Sequence, residues 1–166
     1  MFATIHTASG LLIASKVSNP VWIFFIGIIS HFLLDIIPHG DRYLEKGVYE
    51  TGKTRQKAII RMILITIFDL LLSLSLFFVV LKINNFVDWQ LYIIALIAVL
   101  LPDISMGLGK ITYVFHFDNS NNFFIKLNLK LYKYHLKIHN LIPLEIPLAS
   151  GIVFQLFLAG LFIYLI

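Results

Sequence analysis

A chain of 166 residues that is 59% hydrophobic and only 13% charged departs from ordinary soluble domains, which carry about 45–50% and about 25%. A soluble domain this small buries only about 60–70% of what its unfolded chain exposes, so the composition argues against a water-soluble globule and predicts one integral membrane domain over 1–166. With no cysteine there is no disulfide framework, and any metal site must use His, Asp and Glu; the net charge of +4 points to membrane topology and lipid headgroups rather than nucleic acid.

Taken in chain order, Phe2 to Val17 is moderately apolar and short for a span. Met1 to Ser15 lacks the basic stretch of a cleavable signal. Ser18-Asn19-Pro20 is a turn signal with proline at a helix start, and Val21 to Ile37 is almost unbroken apolar sequence. The first 37 residues therefore read as a helical hairpin whose first arm is short or re-entrant. Pro38 closes it, and Gly40 to Lys57 is a polar loop. Ala58 to Leu81 and Trp89 to Leu108 read as spans joined by a turn at 83–88, with Trp89 and Tyr92 as interface anchors. Lys110 to Asn140 interleaves Lys130, Lys133 and Lys137 with aromatic and aliphatic residues, the pattern of an amphipathic segment on the membrane surface. Leu141 to Ile166 is the last span. The expected fold is all-α: a polytopic bundle of about four or five membrane helices plus that surface segment.

Loop charges set the expected orientation. Arg42, Lys46, Lys53, Arg55 and Lys57 in one loop, and Lys110, Lys126, Lys130, Lys133 and Lys137 in the surface segment, fall on one side in a hairpin-hairpin reading. The other side has only Lys16 and Lys82. The positive-inside rule puts the basic side in the cytoplasm; a site for acidic headgroups would give the same bias.

Charged groups within spans are expensive, on the order of 2.5–3.5 kcal/mol for Asp on insertion scales. Asp35, Asp69, Asp103 and Glu145 nonetheless lie in or at the ends of spans, with His31 beside them. Depth arithmetic brings them together. His6 and His31 are both about 12 residues from the first hairpin turn, roughly 19 Å at the helical rise, and Asp35 is roughly 25 Å from it. Asp69 and Asp103 lie roughly 24–27 Å from the second turn near Asn85. All four of His31, Asp35, Asp69 and Asp103 thus share a layer near the basic face, with His139 and Glu145 flanking the start of the last helix on that face. His31, Asp35 and His39 recur at four-residue intervals, one turn apart on one helix face, and His135 and His139 repeat the interval. Imidazole and carboxylate donors in this pattern suit zinc best, with manganese or iron as alternatives. Blander readings stand beside this one: His135 and His139 facing headgroups, His116 as a loop residue, Asp69 pairing with Arg61, and Glu145 beginning a helix.

The stretch Gly27-Ile-Ile-Ser-His31-Phe-Leu-Leu-Asp35-Ile-Ile-Pro38-His39, with His6-Thr7-Ala8-Ser9-Gly10 and Leu101-Pro102-Asp103, resembles small bacterial inner-membrane proteins described as metal-dependent hydrolases. More remotely, His-x-x-x-Asp followed by Pro and His is similar to the zinc-dependent phospholipase C and P1 nuclease motif. The order differs, since in those membrane proteins Leu-Pro-Asp usually precedes the Ser-His-x-x-x-Asp element. Their His-Arg-Gly…Thr-His stretch has no match here, which leaves His116, His135 and His139 to complete a ligand set. The resemblance implies a zinc-dependent hydrolase acting on a phosphoester, with a lipid or lipid-linked substrate. His6, His31, Asp35 and Asp103 are the first expected ligands; His39, Asp69, His135 and His139 follow. Asp69, with Asp35, is the expected catalytic carboxylate, and Lys130, Lys133 and Lys137 the expected headgroup contacts. The alternative class is a metal or proton transporter using the same acids as a relay, and a third is an assembly protein whose acids pair with Arg and Lys. Oligomeric state is not legible in the sequence.

Overall fold

The computed structural model describes residues 2–37, 39–40, 48, 50–85, 87–114, 122–139, 141–142 and 146–166. Arg42, Lys46, His116, Asn140 and Glu145 lie outside the described residues. Among the described residues there are six helices and no strand: α1 (Ala3–Lys16), α2 (Pro20–Ile36), α3 (Gly52–Ile83), α4 (Trp89–Val114), α5 (Phe123–His139) and α6 (Leu148–Tyr164).

The turn before α2 forms as its residues dictate. Pro20 supplies a helical φ at the first position, and the Asn19 side chain accepts the Val21 N–H at 2.9 Å and the Trp22 N–H at 3.3 Å, satisfying two of the four free amides at a helix start. At the second hairpin, Asn85 and Asp88 adopt left-handed φ values of 50° and 52°, a conformation these residue types tolerate better than most. Helix α3 begins at Gly52, six residues before the expected span, and α6 begins at Leu148, seven after its expected start.

The first arm is neither a surface helix nor a lipid-facing span. α1 is the centre of the bundle, in contact with α2, α3, α4 and α6, and Ile5 through Leu11 are all buried. Its neighbours are protein, which suits its modest hydropathy: Thr7 bonds Ser73, and Ser9 bonds the His6 carbonyl and Ser30. α1 runs parallel to α3, with Thr4 Oγ1 on Asp69 Oδ1 at 2.6 Å and Thr7 Oγ1 on Ser73 Oγ at 2.5 Å one turn on. α2 packs closely on α4 at Gly27, where an added Cβ would sit 2.8 Å from the Ala98 Cβ. Farther along, Leu11, Ala14, Ile23, Phe77, Val80, Leu81, Tyr92 and Ala95 form an apolar core.

α3 and the Trp89–Thr112 part of α4 are each long and apolar enough to cross a bilayer, and their most apolar windows are only 17% and 28% buried. A soluble core helix would be mostly buried. Phe68, Leu71, Phe78, Leu101 and Ile104 are instead exposed. α2 and α6 are apolar but shorter, at 17 residues each.

Asp69 anchors the start of α1. Its carboxylate accepts the Ala3 N–H at 2.5 Å and the Thr4 N–H at 3.1 Å, placing a negative charge on the positive end of a helix and satisfying its free amides. Replacing Asp69 by Ala leaves those part-buried amides unpaired, at a cost of about 1–3 kcal/mol. The expected outcome for Asp69→Ala is a thermal midpoint in detergent several degrees below wild type, measured by scanning fluorimetry, with Asp69→Asn between the two.

Candidate metal centre

Four helices deliver imidazoles and carboxylates to one buried point. His6 comes from α1, His31 and Asp35 from α2, Asp103 from α4 and His135 from α5. Asp35 is the hub and is 1% exposed. Its Oδ2 lies 2.9 Å from His135 Nε2 and 3.1 Å from His31 Nε2, and its Oδ1 lies 3.3 Å from His6 Nε2. Asp103 Oδ1 is 3.7 Å from His31 Nε2, and its side chain, 33% exposed, forms the open rim. The donor atoms of His31, Asp35, Asp103 and His135 all fall within 4.8 Å of one another.

Backbone chemistry fixes how His31 is presented. Pro102 lies inside α4 and has no N–H, so the carbonyl four residues back, on Ala98, loses its helical donor. In the same turn Val99 O accepts the Nδ1–H of His31 at 2.7 Å. A histidine that donates from Nδ1 to a carbonyl presents the lone pair of Nε2 on its other side, the arrangement typical of metal-ligating imidazoles. His31 Nε2 and both ring nitrogens of His6 are buried and have no hydrogen-bond partner. Only the His135 contact to Asp35 has hydrogen-bond geometry.

These observations test whether a cation fits. A lone pair on His31 Nε2 facing a carboxylate oxygen at 3.1 Å is repulsive. Protonating His6 and His31 together would stack two imidazolium rings whose centroids are 4.0 Å apart, with both side chains fully buried. An isolated buried charge costs several kcal/mol or more. A divalent ion among these donors would remove that repulsion, take up the His31 Nε2 lone pair and offset the charge of the acids. The donor set of nitrogen and oxygen atoms suits such an ion.

A second group adjoins the first. Asp35, His39 and His139 have donor atoms within 4.8 Å of one another. His39 Nε2 and His139 Nε2 face each other at 3.1 Å, and His39 Nδ1 donates to Ile37 O at 2.5 Å. Asp35 is common to both groups. Gln155, buried in the middle of α6, holds His39 by donating to its carbonyl at 3.1 Å while accepting the Phe2 N–H at 2.8 Å. Sequence reasoning passed over Gln155; an isolated amide in an otherwise apolar helix was the available signal.

Of the expected ligands, His6, His31, Asp35, His39, Asp103, His135 and His139 thus all reach one or other group or contact its hub. Asp69 does not join them. It was expected as the catalytic carboxylate because it shares their depth, but it faces α1's first amides on another seam of the bundle. Lys130, Lys133 and Lys137 are exposed and lie roughly half a turn around α5 from His135, so they do not reach into the centre. No protein-family model matches the chain, and neither the curated proteins nor the solved structures contain a match.

Elemental analysis of the purified protein checks the centre. Wild type is expected to carry a divalent metal at stoichiometric level, Asp35→Ala with Asp103→Ala to carry none, and Asp69→Ala to keep it. Equal trace metal in all three would remove the ion from the account.

Proposed function

We propose that this chain is a multi-pass protein of the bacterial cytoplasmic membrane and a metal-dependent hydrolase of a phosphoester in a lipid or lipid-linked substrate. The observation that carries the reading is the buried His/Asp centre, with orphaned imidazole nitrogens, inside a bundle whose outer surface is apolar.

Several features support the membrane setting. Lys16 and Lys82 end α1 and α3 at one end of the bundle. At the other, Arg61 and Lys110 bracket the apolar stretches of α3 and α4, and Lys53, Arg55 and Lys57 lie beyond Arg61. Asp103 is seven residues from Lys110, roughly 10 Å of helical rise, so the centre sits below the basic headgroup plane. Positive-inside orientation turns that side to the cytoplasm.

The residues divide the work. His31, Asp35, Asp103 and His135, with His6 against Asp35, would hold one ion, and His39 and His139 add a second donor group through Asp35. Zinc suits imidazole and carboxylate donors best. A bound ion would supply Lewis acidity toward a phosphoryl oxygen and lower the pKa of a water to about 7. Val99 O orients the His31 imidazole, and Gln155 anchors the His39 backbone. Asp69 being engaged at α1, Asp103 on the rim is the carboxylate placed to exchange a proton with water. An apolar cleft of about 400 Å³ between α1, α3 and α6, lined by Ile5, Phe68, Asp69, Leu72, Ile152 and Gln155 among others, has room for hydrocarbon, and it lies on the Asp69 seam.

The polar layer is one-sided. Beyond Thr7, Ser73, Ser9 and Ser30 the interior closes with Leu11, Ile23, Phe77 and Val80, and the polar pocket around Asn84, Asn85 and Asp88 lies at the far end. A transporter's relay would continue through, so this favours chemistry over transport.

The test is release of phosphate or phosphorylated headgroup from bacterial lipid extract by the protein in nanodiscs. Turnover should vanish with a zinc chelator, return with added zinc, and fall at least a hundredfold in Asp35→Asn. Turnover indifferent to chelation would overturn the proposal.

A further inference from the structure

α5 is divided lengthwise into three faces. Leu129, Tyr132 and His135 are buried, and α5 packs on α4 and, more lightly, on α2. The second face is exposed and apolar: Phe123 is 69% exposed, Leu127 41%, Leu131 49% and Tyr134 56%. The third is a lysine stripe. Lys126, Lys130, Lys133 and Lys137 are spaced by four, three and four residues, so at about 100° per residue they fall within roughly 60° of one another. The helix contains no acid. The apolar face and the lysine face are adjacent, and both are turned away from the bundle.

This division has a physical reading. A helix with neighbouring apolar and lysine faces settles where hydrocarbon meets headgroups, and each lysine near an acidic leaflet adds about 1 kcal/mol of attraction. The stripe lies roughly opposite His135 and His139 on the same helix. α5 therefore joins two surfaces in one rigid rod: an outer face complementary to acidic lipid and an inner face that supplies imidazoles to the centre. Through His135 it places Nε2 2.9 Å from Asp35, and through His139 it places Nε2 3.1 Å from His39.

We propose that α5 is a docking surface for an acidic lipid leaflet, and that this docking steadies the metal centre by holding His135 and His139 against Asp35 and His39. The coupling rests on the metal-centre reading above; the lipid contact stands on the three-faced helix alone. The ligand class is the anionic headgroup of bulk phospholipid, acting on the outer face of α5 as a condition for the site and not as its substrate. The expected lysine contacts to a bound substrate headgroup are thereby replaced: the same lysines meet the surrounding leaflet.

The experiment places the full chain in nanodiscs of phosphatidylcholine alone or with a third phosphatidylglycerol. Two readouts are taken: amide hydrogen exchange of residues 123–139, and zinc affinity by chelator competition. Acidic discs are expected to slow exchange of α5 and to tighten zinc binding, each at least fivefold. In Lys130→Gln with Lys133→Gln and Lys137→Gln both differences should shrink below twofold while the values in neutral discs stay at wild type, which shows that the variant is folded. Equal exchange in the two lipids, or a difference that survives in the variant, overturns the lipid docking. Lipid-dependent exchange with one zinc affinity in both discs overturns the coupling alone. Lipid-dependent exchange with no zinc bound in either disc overturns the metal-centre reading and the coupling with it.

Discussion

The arrangement depends on one buried carboxylate. Asp35 is 1% exposed and is approached by three imidazole Nε2 atoms at 2.9, 3.1 and 3.3 Å. Removing a carboxylate from water without compensation costs several kcal/mol or more, so its surroundings must either supply positive charge or hold an ion that does. The other features of the bundle serve this point. α2 can lie against α4 because Gly27 has no side chain, and that closeness brings His31 Nδ1 to Val99 O in the turn that Pro102 disturbs. α1 occupies the middle of the bundle because a helix carrying His6, Thr7 and Ser9 finds partners only there.

The exterior and interior of this protein exchange the usual roles. Phe68, Leu71, Phe78 and Ile104 are outside, and His6, His31, Asp35, Ser73 and Gln155 are inside. In a bilayer this is the economical distribution, since polar groups are satisfied internally and apolar groups lose nothing by facing lipid. The same logic explains the two uses of aspartate. Asp35 faces imidazoles, whereas Asp69 faces the backbone amides that begin α1.

α5 is the peripheral helix of the site. It contributes donors from one side and displays lysines and exposed apolar residues on the others.

The sequence by itself determined the helical class, the hairpin turns and the level at which the unusual residues lie, because these follow from composition, from Asn19-Pro20 and Asn84-Asn85, and from a rise that is the same in every helix. It also singled out His31, Asp35, Asp103, His135 and His139, because polar donors at one-turn spacing in apolar helices have few other uses. Depth, however, is one coordinate of three. Only the tertiary structure decided the rotation of each helix about its axis and its neighbours. That is why Asp69 turned out to clamp α1, why α1 is interior, and why Gln155 is part of the support for His39. Helical periodicity relates residues within one helix; the seam on which they meet another helix is set by packing, which no single segment encodes.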